Sequence, residues 1–180
     1  MGKFLTRPDM LTVMLQCQTP EVAISRIRNA NCLGADGYGL QVESLLRDYQ
    51  TPEVFEKIFK EMDGRPVYVT NYRGAQNKGR TDEELAEGLL TLAHSGATLC
   101  DVMGDLFCPH PQELTEDEAA IKKQMLLVKQ LHEVGAEVLM SSHVLKFTPA
   151  ERVLEMRRRF DFVHLDLILP CHGQREDLVA

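Results

Sequence analysis

Several side chains in this sequence stand at the ends of apolar runs and carry groups suited to proton transfer or to holding a small acid. His143 closes the run Val138-Leu139-Met140-Ser141-Ser142-His143, and imidazole is the side chain whose ordinary pKa suits moving protons near neutrality. His164 and Asp166 alternate along a later run, so both fall on one face of a strand. That spacing is read as a hydrogen-bonded pair, with a metal held by His143, His164 and Asp166 as the alternative. Arg73 carries a fork that matches a carboxylate, and Gln41 and Asp101 stand at the ends of two further runs. His143 and His164 are therefore the candidate catalytic residues, and Arg73, Gln41 and Asp101 the candidate substrate-binding ones. No metal and no cofactor is assigned.

The elements that must position these residues are legible in the chain. Six apolar runs, Leu11–Cys17, Gly37–Val42, Pro66–Asn71, Leu99–Met103, Val138–Ser142 and Phe162–Leu169, are apolar on both faces, as strands of a helix-covered parallel sheet are. Between them lie five stretches with helical periodicity, such as Val54, Phe55, Ile58, Phe59 and Met62. Thr19-Pro20 and Thr51-Pro52 place a capping threonine before a proline at the first helical position. Thr81 with Glu84, Thr115 with Glu118 and Thr148 with Glu151 have capping-box spacing. Gly34, Gly64, Gly96 and Gly135 fall where left-handed helix ends are expected. Gln174–Val179 reads as the start of a sixth helix. The first strand is followed by Gln16-Cys17-Gln18-Thr19-Pro20, which lacks the glycines of a dinucleotide-binding turn. Polar residues gather instead at the C-terminal ends of the strands, the mouth of a barrel. The expected architecture is a parallel (β/α) barrel of TIM type with six βα units, two short of eight, in one domain over residues 1–180.

Bulk properties narrow the function classes. With 44% hydrophobic and 26% charged residues the chain has the composition of a globular protein with a core of its own. A net charge of −7 argues against nucleic acid or an anionic membrane as partner. Cys17, Cys32, Cys100, Cys108 and Cys171 form no CxxC pair, which points to reduced thiols and a cytoplasmic location rather than a disulfide framework. No signal-peptide or membrane-spanning run is legible.

The stretch Ser141-Ser142-His143, followed by Thr148-Pro149, resembles the type I 3-dehydroquinate dehydratases, in which a strand ends in Ser-x-His and a Thr-Pro follows. Phe160-Asp161-Phe162-Val163-His164-Leu165 is similar to that family's Ala-Asp-Ile-Val-Lys-Ile strand. Gly34-Ala35-Asp36 through Glu43 is similar to its Gly-Ala-Asp-x-x-Glu-x-Arg-x-Asp, and Pro66 to Arg73 to its Pro-x-x-x-Thr-x-Arg. The resemblance runs from Leu11 to about Leu178. It implies a lyase of the shikimate pathway and of aromatic amino acid biosynthesis, which dehydrates 3-dehydroquinate. There a lysine forms a Schiff base and a histidine oriented by a glutamate moves protons.

Only part of that machinery is kept. The histidine is His143. The lysine position carries His164, whose imidazole forms no iminium, and the orienting carboxylate falls on Met103. The substrate-binding Glu and Arg of the second strand fall on Gly39 and Gln41, and the third-strand arginine survives as Arg73, one residue displaced. Lys146 follows His143, but its spacing does not mark it as an iminium former. The resemblance thus implies lyase-type acid/base chemistry on a small anionic cyclic acid, with His143 as proton shuttle. The alternatives are a catalytically inactive binding or partner protein on the same scaffold, and a metal-dependent isomerase or hydrolase using His143, His164 and Asp166. Six units of an eight-unit plan leave open strand edges, so a homo-oligomer or a covering partner is expected.

Overall fold

The computed structural model describes residues 4, 9–144, 147–160 and 167–172. Strands and helices alternate: β1 Thr12–Leu15, α1 Pro20–Cys32, β2 Gly37–Gln41, α2 Pro52–Lys60, β3 Val67–Thr70, α3 Asp82–His94, β4 Leu99–Met103, α4 Glu118–Val134, β5 Glu137–Val144, α5 Ala150–Phe160 and β6 Leu167–His172. Among the described residues this is the expected order of six strands and five helices. The chain forms two compact units, one of Met1–Asp101 with Gln130–Glu137, the other of Val102–Lys129 with Val138–Ala180.

In the first unit β1 to β4 pair in parallel, each with its successor. Gly39 stands opposite Met14 and Tyr68, and Gln41 opposite Thr70. Because side chains alternate across a strand, this register sorts them cleanly. Leu15, Tyr38, Leu40, Val67, Val69 and Cys100 are buried on one face, with Ala23 and Ile27 of α1, Ile58 of α2 and Leu85 and Leu89 of α3 buried in the same core. Each fully buried large aliphatic side chain contributes about 2 kcal/mol relative to exposure. The other face carries Met14, Gly39, Gln41, Tyr68, Thr70 and Asp101. An added Cβ at Gly39 would lie 2.0 Å from Met14 Sδ and 3.0 Å from Tyr68 Cδ1. The methionine side chain thus fills the space beside the glycine.

Helix ends follow the expected chemistry with two corrections. Thr81 and Glu84 form a complete capping box, and Thr51 accepts from Val54 N. Thr19 precedes α1 but makes no side-chain cap; there the proline, which brings no N–H, does the terminating work. Helix α4 is capped by Asp117, whose Oδ1 accepts from Ala120 N at 2.8 Å. The expected cap, Thr115, lies two positions before Asp117 and accepts instead from Asp117 N at 3.1 Å. At the C-terminal ends the glycines adopt positive φ, 83° at Gly34, 116° at Gly96 and 94° at Gly135. In each case the following alanine N–H reaches back to a helical carbonyl at 3.0–3.1 Å. This Schellman closure turns the chain directly into the next strand.

In the second unit β5 pairs in parallel with β6, from Leu139 opposite Leu167 to Val144 opposite His172. Strand β5 runs two residues beyond the expected Ser142, because its ladder with β6 continues through His143 opposite Cys171. Strand β6 is described over Leu167–His172, past the expected end at Leu169; the rest of the expected run Phe162–Leu169, with His164 and Asp166, lies outside the described residues, as do Lys146 and Gln174–Val179. Among the described residues, no helix is long and apolar enough to cross a membrane.

Candidate functional site

The polar face of the first unit holds a connected cluster at the C-terminal ends of its strands. Asp101, 1% exposed, accepts on Oδ2 from Tyr68 Oη and from Tyr72 Oη, each at 2.5 Å. Glu43, just after β2, is also buried. Thr70 Oγ1 lies 3.0 and 2.9 Å from its two carboxylate oxygens, and Tyr72 N donates to Oε2 at 3.3 Å. Burial pushes the Glu43 carboxyl above the usual carboxylate range; the hydrogen bonds from Thr70 and Tyr72 oppose this, and the charge of Asp101 adds to it. Chemically the cluster is a buried acid, a second carboxylate held by two phenols, and a hydroxyl between strands.

The other first-unit candidates are engaged within the protein. Gln41 accepts from Gln16 Nε2 at 2.5 Å. The Arg73 guanidinium forms a fork on Asp82 in the first turn of α3, Nε to Oδ1 at 2.8 Å and Nη2 to Oδ2 at 2.6 Å. The bidentate geometry expected for a ligand carboxylate is therefore met by a protein one. Arg47 donates to the Gln76 carbonyl at 2.6 Å and to that of Lys78, pinning the loop after Arg73.

In the second unit the chemistry centres on His143. Its Nδ1 lies 3.2 Å from Glu113 Oε2, and the same oxygen accepts from the His143 backbone N–H. The two side chains are 37% and 40% exposed, open enough for a solute to reach. Glu113 comes from the segment between β4 and α4, which is held by buried polar groups. Gln124, 2% exposed, donates to the carbonyls of Gly104 at 3.1 Å and Leu106 at 3.0 Å. Asp105 Oδ2 accepts from His110 N at 2.9 Å. Ser142 Oγ donates to the Gln112 carbonyl at 2.9 Å, and Arg152 Nη2 to Gln112 Oε1 at 2.6 Å. Two non-glycine residues of the segment, Phe107 (φ 73°) and Glu113 (φ 49°), sit in the left-handed region, at a cost of about 1–2 kcal/mol each that these anchors offset.

The structure thus joins Asp101 to Tyr68 and Tyr72, joins Gln41 to Gln16, occupies Arg73 with Asp82, and sets His143 on Glu113. Glu43, Tyr68, Tyr72 and Glu113 were not among the sequence candidates. The tyrosines had a signal in the alternation Tyr68-Thr70-Tyr72 leading out of β3. Glu113 had a weaker one: the connection from Gly104 to Asp117 is long for a strand-to-helix link, and such segments tend to be functional. Among the described residues no group of three or more His, Cys, Asp or Glu could hold a metal ion.

No protein-family model matches this sequence, and neither does any curated protein. Solved structures do. The 3-dehydroquinate dehydratase of Enterococcus faecalis matches with a TM-score of 0.71 over 94% of this chain and 69% of its own, at 15% identity. The 3-dehydroquinate dehydratase of Geobacillus kaustophilus HTA426 matches with a TM-score of 0.74 over 94% and 65%, at 12% identity. The deoxyribose phosphate aldolase of Aeropyrum pernix matches with a TM-score of 0.58 over 89% and 61%, at 18% identity. The chain spans about two thirds of the length of the dehydratases it matches. At these identities the likeness is one of fold: the chain is a parallel α/β protein of the TIM-barrel-like class that includes the type I 3-dehydroquinate dehydratases.

Proposed function

We propose that this protein carries out lyase-type acid/base chemistry on a small, anionic, cyclic acid, with His143 as the proton shuttle. The observation that carries the reading is the His143 imidazole standing at the C-terminal end of β5 against the Glu113 carboxylate, partly open to solvent. In a dehydration, the base takes the proton α to a ketone, the electron pair enters the carbonyl as an enolate, and the β-hydroxyl leaves as water with a proton returned by the conjugate acid. An imidazole can perform both transfers. The fold shared with 3-dehydroquinate dehydratases makes a 3-dehydroquinate-like acid the first substrate to try.

The test is turnover of 3-dehydroquinate by the wild-type chain and by H143Q. Slow formation of the conjugated enone that falls at least tenfold in H143Q supports the reading; equal rates in the two proteins would sink it. A Schiff base requires a primary amine, and the matching position is His164. Borohydride should therefore trap no adduct, and H164K alone should not restore strong activity, because the second-strand positions of the substrate-binding Glu and Arg carry Gly39 and Gln41. An adduct mapped to Lys146 would restore the full dehydratase mechanism.

The second reading, a binding protein without catalysis, is favoured by that same His164. It is the outcome if 3-dehydroquinate perturbs the spectrum of His143 but is not turned over. We also propose a partner at β1, which ends the strand order beside exposed Leu11, Met14, Val22 and Leu33. Light scattering across dilution should show association; a monomer at every concentration would overturn this.

A further inference from the structure

We propose that Glu113 is the positioning residue of His143 and sets which ring nitrogen carries the proton. Its value to catalysis rests on the function proposed above; the effect on the ring does not. A carboxylate only accepts hydrogen bonds, so a neutral imidazole with Nδ1 at 3.2 Å from Glu113 Oε2 places its proton on Nδ1 and its lone pair on Nε2. The same oxygen accepts from the His143 backbone N–H. Ring and backbone are thereby tied to one atom, which holds the ring's orientation as well as its tautomer.

The strand position at which the resembling enzymes are expected to place an orienting carboxylate is Met103, an apolar side chain. In this chain the carboxylate arrives instead from the loop after β4. The loop is built to deliver it. Gln112, the preceding residue, is held on both of its oxygens, its carbonyl by Ser142 Oγ and its side chain by Arg152. Ser142 is the neighbour of His143 on β5, so the strand that presents the imidazole also fixes the loop that presents the carboxylate. Glu113 adopts φ 49°, a conformation a non-glycine residue keeps only when its surroundings enforce it.

The experiment reads the His143 tautomer from long-range ¹⁵N–¹H correlations of the imidazoles, with H143Q used to assign the ring. In the wild type the neutral ring should carry its proton on Nδ1. In E113A and E113G the tautomer ratio should move toward Nε2–H by about tenfold or more, since a charge-assisted hydrogen bond has been lost. E113Q, which keeps an acceptor oxygen, should hold the wild-type tautomer. If alanine at φ 49° prevents folding, E113G decides alone, because glycine adopts that φ without strain. An unchanged ratio in the side-chain deletions overturns the proposal. So does loss of the wild-type tautomer in E113Q, which would mark a general disturbance of the loop. Absence of 3-dehydroquinate turnover alongside the expected tautomer shifts would remove the proposed reaction and leave the positioning role standing.

Discussion

Thr70 Oγ1 sits between the two carboxylate oxygens of Glu43, at 3.0 and 2.9 Å, across the pairing of β3 with the end of β2. The contact is buried, and burial raises the Glu43 pKa, so at intermediate pH the folded state holds more protons than the unfolded chain. Stability contributed by this group is then present below the usual carboxylate range and lost as pH rises through the raised folded value. Thermal melts of wild type and E43Q should show it. Relative to E43Q, wild-type Tm should fall as pH rises from the ordinary carboxylate pKa toward neutrality. Parallel Tm curves for the two proteins would contradict the shift.

Asp101 anchors two phenols on one oxygen, so its loss removes an acceptor from both. D101A should destabilise the protein by about 3 kcal/mol, and Y68F or Y72F by about 1–2 kcal/mol each. Because the two tyrosines share one acceptor, the double variant Y68F/Y72F should deviate from additivity. Urea denaturation of the four variants measures this; strict additivity would mean the tyrosines act independently.

Gln124 is the internal support of the loop that carries Glu113. Its amide satisfies two backbone carbonyls of that loop; Q124A takes the donor from the buried Leu106 carbonyl, while Gly104 keeps the bond from Thr115 N. The expected cost is about 2 kcal/mol, with hydrogen exchange faster across residues 105–113 than across β5. Uniform acceleration across the second unit would show that the amide stabilises the unit at large rather than the loop.

Cysteine reactivity should split by burial. The Cys100 thiol is pushed up to about 12, first by burial and then by the Asp101 charge, and Cys17 is also raised by burial. Cys32 is exposed. Because the thiolate is the reacting form, iodoacetamide at pH 8 should label Cys32 while leaving Cys100 unmodified in the folded protein. Labelling of both at similar rates, read by mass spectrometry, would contradict the burial of β4.

The alternation of strand and helix, the parallel class and the glycine helix ends were all legible in the sequence, because each follows from local rules: apolar periodicity, proline at the first helical turn, glycine where φ must be positive. Leu99–Met103 was read to the residue, and Gly34-Ala35, Gly96-Ala97 and Gly135-Ala136 close their helices as their spacing implied. Local rules failed where two signals competed. Thr115 and Asp117 are both capping residues, and only the packed start of α4 selects the second. The site was legible only as single residues. His143 could be picked out from the end of its apolar run, but its carboxylate partner lies thirty positions upstream in a loop with no periodicity to place it. Arg73 displays the same fork in the sequence whether it waits for a ligand or closes on Asp82. Spacing along the chain records which groups a strand end presents; which of them meet depends on strand register and on loops held by buried amides and carboxylates, and those exist only once the tertiary structure has formed.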